Sequence, residues 1–234
     1  MINTLIQESA QEGTELITDG ESVEKTLSII ELISSGGTAG ILIILLLFLL
    51  LIIASYIYFE RLFAIKAASK IDPNFMNQIK DHVSSGKIDS AKVLCAQVNS
   101  PVSRLIDKGI SRIGRPLEDI NIAIENAGRL EVYGLEKNTS ILATIAGAAP
   151  MIGFLGTVIG MILSIFEIAN SGGQIDIKQL SDGLYTAMTT TVGGLIVGII
   201  AYVAYNHLVV RTNKVIHKME ANSVEFLDHL NEPA

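Results

Sequence analysis

The sequence predicts an all-α integral membrane protein. It should have three transmembrane helices, a helical cytoplasmic domain between the first two, and second and third spans that extend into the cytoplasm. Three observations predict it. Mean hydropathy over the 234 residues is +0.46, too apolar for a water-facing surface. Three long runs carry no charge: AGILIILLLFLLLIIASYIYF (Ala39 to Phe59), the stretch between Lys137 and Glu167, and the stretch between Asp182 and Arg211, which His207 alone interrupts. A helix of about 21 residues crosses the roughly 30 Å hydrocarbon core of a bilayer. Lysine and arginine, finally, crowd alternate ends of these runs.

The elements follow in order. Residues 1–37 hold seven acids and one lysine, Lys25, the reverse of the basic start of a cleaved signal. They read as a periplasmic segment ahead of a retained first span at 38–59. Arg61, Lys66 and Lys70 follow that span, and Arg129 and Lys137 precede the second, at 138–168. The connection 169–181 holds only Lys178, whereas Arg211, Lys214 and Lys218 follow the third span at 182–208. Positive charge stays on the cytoplasmic side, so the N-terminus is expected in the periplasm, and 60–137 and the tail 209–234 in the cytoplasm. Arg61, Arg211 and Lys214, with Tyr202 and Tyr205, are expected to anchor helix ends among lipid headgroups.

Within 60–137, twelve bases are matched by ten acids, which with a net charge of −7 for the chain speaks against nucleic acid as a partner. Helices are predicted over DPNFMNQIKDHVSSG, with Asp72 as N-cap and Pro73 at the first helical position, and over KIDSAKVLCAQVNS and SPVSRLIDKGISRIG. PLEDINIAIENAGRLEVYGLEKN, opened by Pro116, has no stop signal and is expected to join the second span as one rod. The extreme ends, MINTLIQESAQEG and DHLNEPA, are expected to be mobile.

Hydroxyls sit where lipid-facing helices prefer leucine. At 100° per residue, Asp182, Thr186, Thr190, Gly194, Gly198 and Ala201 share one face of the third span, with Thr191 at its edge. The second span carries Gly147, Ala149, Gly153, Gly156, Thr157, Gly160 and Ser164. Small residues let helix backbones approach closely, and a threonine hydroxyl can bond the carbonyl one turn back. Gly153, Gly156, Gly160, Gly194 and Gly198 therefore read as packing residues, and the hydroxyls admit the same reading.

Depth offers another. Thr157 lies ten residues inside Glu167 and Thr191 nine inside Asp182, so both sit roughly 13–15 Å deep on antiparallel helices. Two polar positions at mid-membrane predict the wall of an ion path formed by Thr157, Thr191, Thr186 and Thr190. A hydroxyl relays a proton but does not hold one at neutral pH. Every acid of the chain lies at or beyond a helix end, so the carboxylate such a path needs must come from a partner helix. Three helices enclose no lumen, which requires several copies around an axis.

Other chemistries lack their residues. Cys95 is alone, and His82, His207, His217 and His229 are scattered without metal-ligand spacing. No nucleophile triad, phosphate-cradling loop or dinucleotide fingerprint occurs. No enzymatic site, metal or cofactor is expected.

The chain resembles the MotA/TolQ/ExbB proton-channel family, its ExbB/TolQ branch above all. The likeness rests on FERLFAIK after the first span, AKVLCAQVNSPVSRLI, LATIAGAAPMIGFLGTVIGMILSIF and GLYTAMTTTVGGLIVGIIAYVAYN. Its most specific part is A-P-x-x-G-x-x-G-T-V, at Ala149, Pro150, Gly153, Gly156, Thr157 and Val158. MotA itself, with four spans, fits less well. The resemblance implies a homopentamer in the bacterial inner membrane around an ExbD/TolR-like single-span dimer that supplies the membrane aspartate. It implies protons as the translocated ion, sodium being the alternative, and work delivered to a TonB-like protein or to the Tol-Pal system. It places Thr157 and Thr191 in the pore, with Pro150 loosening the second helix. Many relatives carry a glutamate where this chain has Thr186; Asp182 or Glu167 is the expected substitute at the outer mouth.

Overall fold

The computed structural model describes residues 37–170 and 177–231. Residues 1–36, including the N-terminal end expected to be mobile, residues 171–176 of the connection between the second and third spans, and the last three residues lie outside the described residues, as does the side chain of Asp182.

The described chain forms seven helices: α1 (Gly37–Ala68), α2 (Phe75–Ser84), α3 (Ile88–Val98), α4 (Pro101–Ile110), α5 (Leu117–Glu136), α6 (Thr139–Asn170) and α7 (Ile177–Asn231). Helices α1, α6 and α7 are long and apolar enough to cross a membrane. α1 is apolar all round, and Leu45, Phe48 and Tyr56 stay open on its outer face, as lipid contact requires. At 55 residues, α7 is roughly 80 Å long, far more than a hydrocarbon core needs. Its second half is the shaft on which the helical domain assembles. The residues at 228–231, expected to be mobile, are helical.

α1 runs parallel to α7: Gly40 abuts Thr186, Leu47 abuts Gly193, and Tyr58 bonds His207. α6 is antiparallel to both and makes the most extensive contact in the fold, against α7. Beyond the spans, α2, α4 and α5 close on α7 around Phe75, Ile79, Ile106, Ile110, Ile124 and Phe226, all buried. Gly109 is required there, because a Cβ would stand 2.8 Å from both Ile124 and Phe226. α4 begins with a reciprocal cap, in which the Ser100 hydroxyl accepts from the Ser103 N–H and the Ser103 hydroxyl from the Ser100 N–H, with Pro101 next. Lys80–Glu225 (2.7 Å) and Arg104–Glu131 (2.7 Å) brace the outside.

Two expectations change. α2 starts at Phe75 behind Asn74, not at Pro73; Asp72 instead accepts the Asn74 N–H at 2.9 Å, an Asx-turn that delays the helix. The rod expected from Pro116 into the second span is also broken. Lys137 is extended (ψ 135°) and Asn138 is left-handed (φ 63°), so α6 starts afresh at Thr139. Asparagine is among the few residues that occupy this region readily.

Candidate functional site

The α6–α7 seam is built from absent side chains. A Cβ on Gly153 would lie 2.7 Å from the Thr190 carbonyl oxygen and 3.0 Å from the Gly194 Cα, and one on Gly194 2.6 Å from the Ala149 carbonyl oxygen. Gly160 faces Ala187, and Gly156 receives the Thr190 side chain. Gly198 lies against the Pro150 ring, where a Cβ would meet Cγ at 2.6 Å, and beside the Ala146 carbonyl. Pro150 leaves that carbonyl without its helical donor, yet α6 continues through it unbroken. Its ring fills the space that Gly198 leaves.

This approach divides the hydroxyl stripe. Thr190 is fully buried and Thr186 is 5% exposed; Thr190 donates to the Ala187 carbonyl at 2.8 Å. Both point into the subunit, contrary to the expected ion-path wall, because the shared face that sequence periodicity assigned them is the one that packs on α6 and α1. Thr157 and Thr191 stand at the seam's edge on the side away from α1, half-buried. Their hydroxyl oxygens are 3.0 Å apart. Thr157 also reaches the Phe154 carbonyl at 2.6 Å, and Thr191 the Gly153 carbonyl at 3.1 Å. Two hydroxyl protons serve three contacts, so one contact is always without its proton and the oxygens keep lone pairs for an outside donor. Rotation of either hydroxyl moves the unfilled position. The pair can solvate and relay a cation or proton. Its rim is apolar: Phe154, Met161, Met188 and Leu195 are exposed.

The remaining candidates lie elsewhere. Glu167 is exposed near the C-terminal end of α6, and Asp182 belongs to α7, its side chain outside the described residues. Arg61 is not a lipid anchor. Its side chain is only 11% exposed, paired with Glu60 and donating to the Gly134 carbonyl at 3.3 Å, so it ties the end of α5 to α1. Arg211 and Lys214 are exposed. Burial pushes the Cys95 thiol up to about 12, with Asp107 adding to it, which leaves it a poor nucleophile.

One cluster escaped the sequence reading. Tyr58 and His207 Nδ1 are 2.8 Å apart, and Arg211 Nε donates to His207 Nε2 at 3.3 Å. Tyr58 and His207 close one end of an apolar groove of about 490 Å³ between α1 and α7. The signal was there: His207 is the one histidine in a run that otherwise holds no acid and no base.

Residues 97–221 match the MotA/TolQ/ExbB proton channel family. This chain belongs to that family. Within it, the ExbB/TolQ branch supplies the relatives. A biopolymer transport protein ExbB homologue of Methanothermobacter thermautotrophicus is 26% identical over 194 residues, 82% of this chain and 67% of that one. The biopolymer transport protein ExbB of Aquifex aeolicus is 39% identical over 87 residues, 37% of this chain and 58% of its own length. The Tol-Pal system protein TolQ of Haemophilus influenzae is 28% identical over 169 residues, 65% of this chain and 69% of that one. The matched family segment takes in the whole α6–α7 seam with both threonines. The chain is a multi-pass membrane protein of a channel and motor family.

Proposed function

We propose that the chain is the proton-conducting stator subunit of an ExbB/TolQ-like motor in the bacterial inner membrane. Five copies surround an ExbD/TolR-like pair of single helices, whose membrane aspartate holds the proton while Thr157 and Thr191 solvate and relay it. The N-terminus faces the periplasm and the helical domain the cytoplasm. The carrying observation is the Thr157–Thr191 contact at 3.0 Å, on the seam's open edge and not in its buried centre. The Arg211 and Lys214 side chains, exposed beyond the span, support the inward tail. Asp182 and Glu167 at the outer mouth raise the local cation concentration. The work is delivered to a TonB-like protein; the TolQ relative supports the Tol-Pal system as the second reading.

Thr157→Val and Thr191→Val keep shape while removing the hydroxyl. In proteoliposomes holding the chain with its single-span partner, each is expected to assemble normally and to lower proton flux at least tenfold, with Thr→Ser restoring it. Normal flux in the double valine variant would defeat the relay. Flux that follows sodium rather than pH would replace the ion and keep the site.

A further inference from the structure

Among the described residues, three buried side-chain atoms have no hydrogen-bond partner: Arg61 Nε, Thr139 Oγ1 and Thr212 Oγ1. They come from three helices, yet the helix registers bring them to one level. Tyr58 pairs with His207 and Ser69 with Lys218, which sets Arg61 of α1 beside Val210 of α7. On the other flank, Thr139 at the start of α6 lines a cleft together with Tyr205 and Val209. Thr212 is half a turn further on, so all three fall within about 5 Å along α7.

They meet where α5 stops. The last carbonyls of a helix have no helical donor, and Arg61 supplies one, to Gly134, through Nη1, while Glu60 holds Nη2. Nε is left over. The two threonines are exceptions as well. Ser55, Thr144, Ser164, Thr189 and Ser223 each donate to the carbonyl one turn back. Thr212, 3% exposed, does not, and Thr139, 7% exposed, opens its helix and has no such carbonyl within it. Buried polar groups left unpaired are costly, and they recruit water where two to four polar partners and enough room coincide.

We propose that this junction is a hydration site, in which ordered water bridges Arg61 Nε, Thr139 Oγ1 and Thr212 Oγ1 and reaches the free carbonyls of α5. The guanidinium N–H only donates, the carbonyls only accept, and the hydroxyls do both. Water matches that mixture; the guanidinium repels a cation, and the carbonyls repel an anion. The cleft beside Thr139, about 570 Å³, gives water a way in. The helical domain is thereby joined to the second span through solvent at the α5–α6 break. The site lies within one subunit and depends on neither the number of copies nor the ion, so it stands or falls separately from the stator reading.

Solid-state NMR of the full chain in lipid bilayers measures magnetisation transfer from water to each threonine. Transfer is expected to be strong at Thr139 and Thr212 and weak at Thr190, which is fully buried and bonded to the Ala187 carbonyl. Thr212→Val keeps the shape and removes the hydroxyl. It should weaken the transfer to Thr139 and lower the thermal midpoint by about 2–4 °C, and Thr212→Ser should restore both. Removing an unhydrated, unpaired hydroxyl would instead leave the midpoint unchanged or raise it. Three results would overturn the site: transfer to Thr139 and Thr212 no stronger than to Thr190, unchanged transfer to Thr139 in Thr212→Val, or a midpoint of that variant at or above the wild type. The first needs only the wild-type chain, so a misfolded variant leaves the proposal testable.

Discussion

Thr190 and Thr191 are neighbours in sequence, yet only 100° of helix rotation separates a buried packing group from an edge hydroxyl. Thr190 fills the space left by Gly156, and Thr191 meets Thr157 across the seam. The glycines are as specific as the threonines. Gly153→Ala would push a Cβ to within 2.7 Å of the Thr190 backbone oxygen, and backbone on two helices cannot yield as a side chain tip does. It is expected to destabilise the subunit by about 1–3 kcal/mol. Gly134→Ala puts its Cβ into open space within helix α5, where alanine is favoured over glycine by about 0.5–1 kcal/mol. Thermal unfolding in one lipid system should therefore move in opposite directions for the two variants. The sequence identified all these small residues but not which of them touch. Periodicity gives a face, and a face says nothing about its neighbour.

At the scale of elements, the break between α5 and α6 is the feature that propensity did not announce. LEVYGLEKNTS carries no proline and no glycine after Gly134, so nothing in it forbids a continuous helix. Asn138 adopts φ 63°, and the half-buried Arg61 takes up the Gly134 carbonyl in the last turn of α5. The stop is thus supplied by a residue on α1, some seventy positions earlier in the chain. Asn138→Gly should be tolerated. Asn138→Val, β-branched at a left-handed position, should cost about 1–2 kcal/mol and raise amide exchange at the α5–α6 junction. Equal behaviour of the two variants would show that the left-handed residue is not what sets the junction.

At the scale of the whole molecule, one subunit has two kinds of apolar surface. The inner seam is complete within the subunit, while the outer faces of α1, α6 and α7 await lipid or protein. Phe154 (64% exposed) and Met188 (67%) flank the threonine pair, on the edge that the stator reading turns toward the single-span helices. Cysteine at either position is expected to cross-link to that partner, whereas cysteine at Thr190, fully buried, is not. Cross-linking from Tyr56 on α1 in place of Phe154 would turn the subunit the other way about its axis.

The sequence by itself determined the number of candidate spans, the family, the extension of the third helix beyond its apolar run and the matched level of Thr157 and Thr191 on antiparallel helices. The family follows from the A-P-x-x-G-x-x-G-T-V motif, and the others from quantities that accumulate along one helix, hydropathy and rise per residue. The tertiary structure alone decided that Thr186 and Thr190 are packing groups and that Arg61 is a strut between α1 and α5. It also decided that the second span starts anew at Thr139 and that His207 has Tyr58 and Arg211 as partners. Those outcomes depend on rotation about the helix axis and on side chains arriving from distant segments, and neither is written into a local stretch of chain.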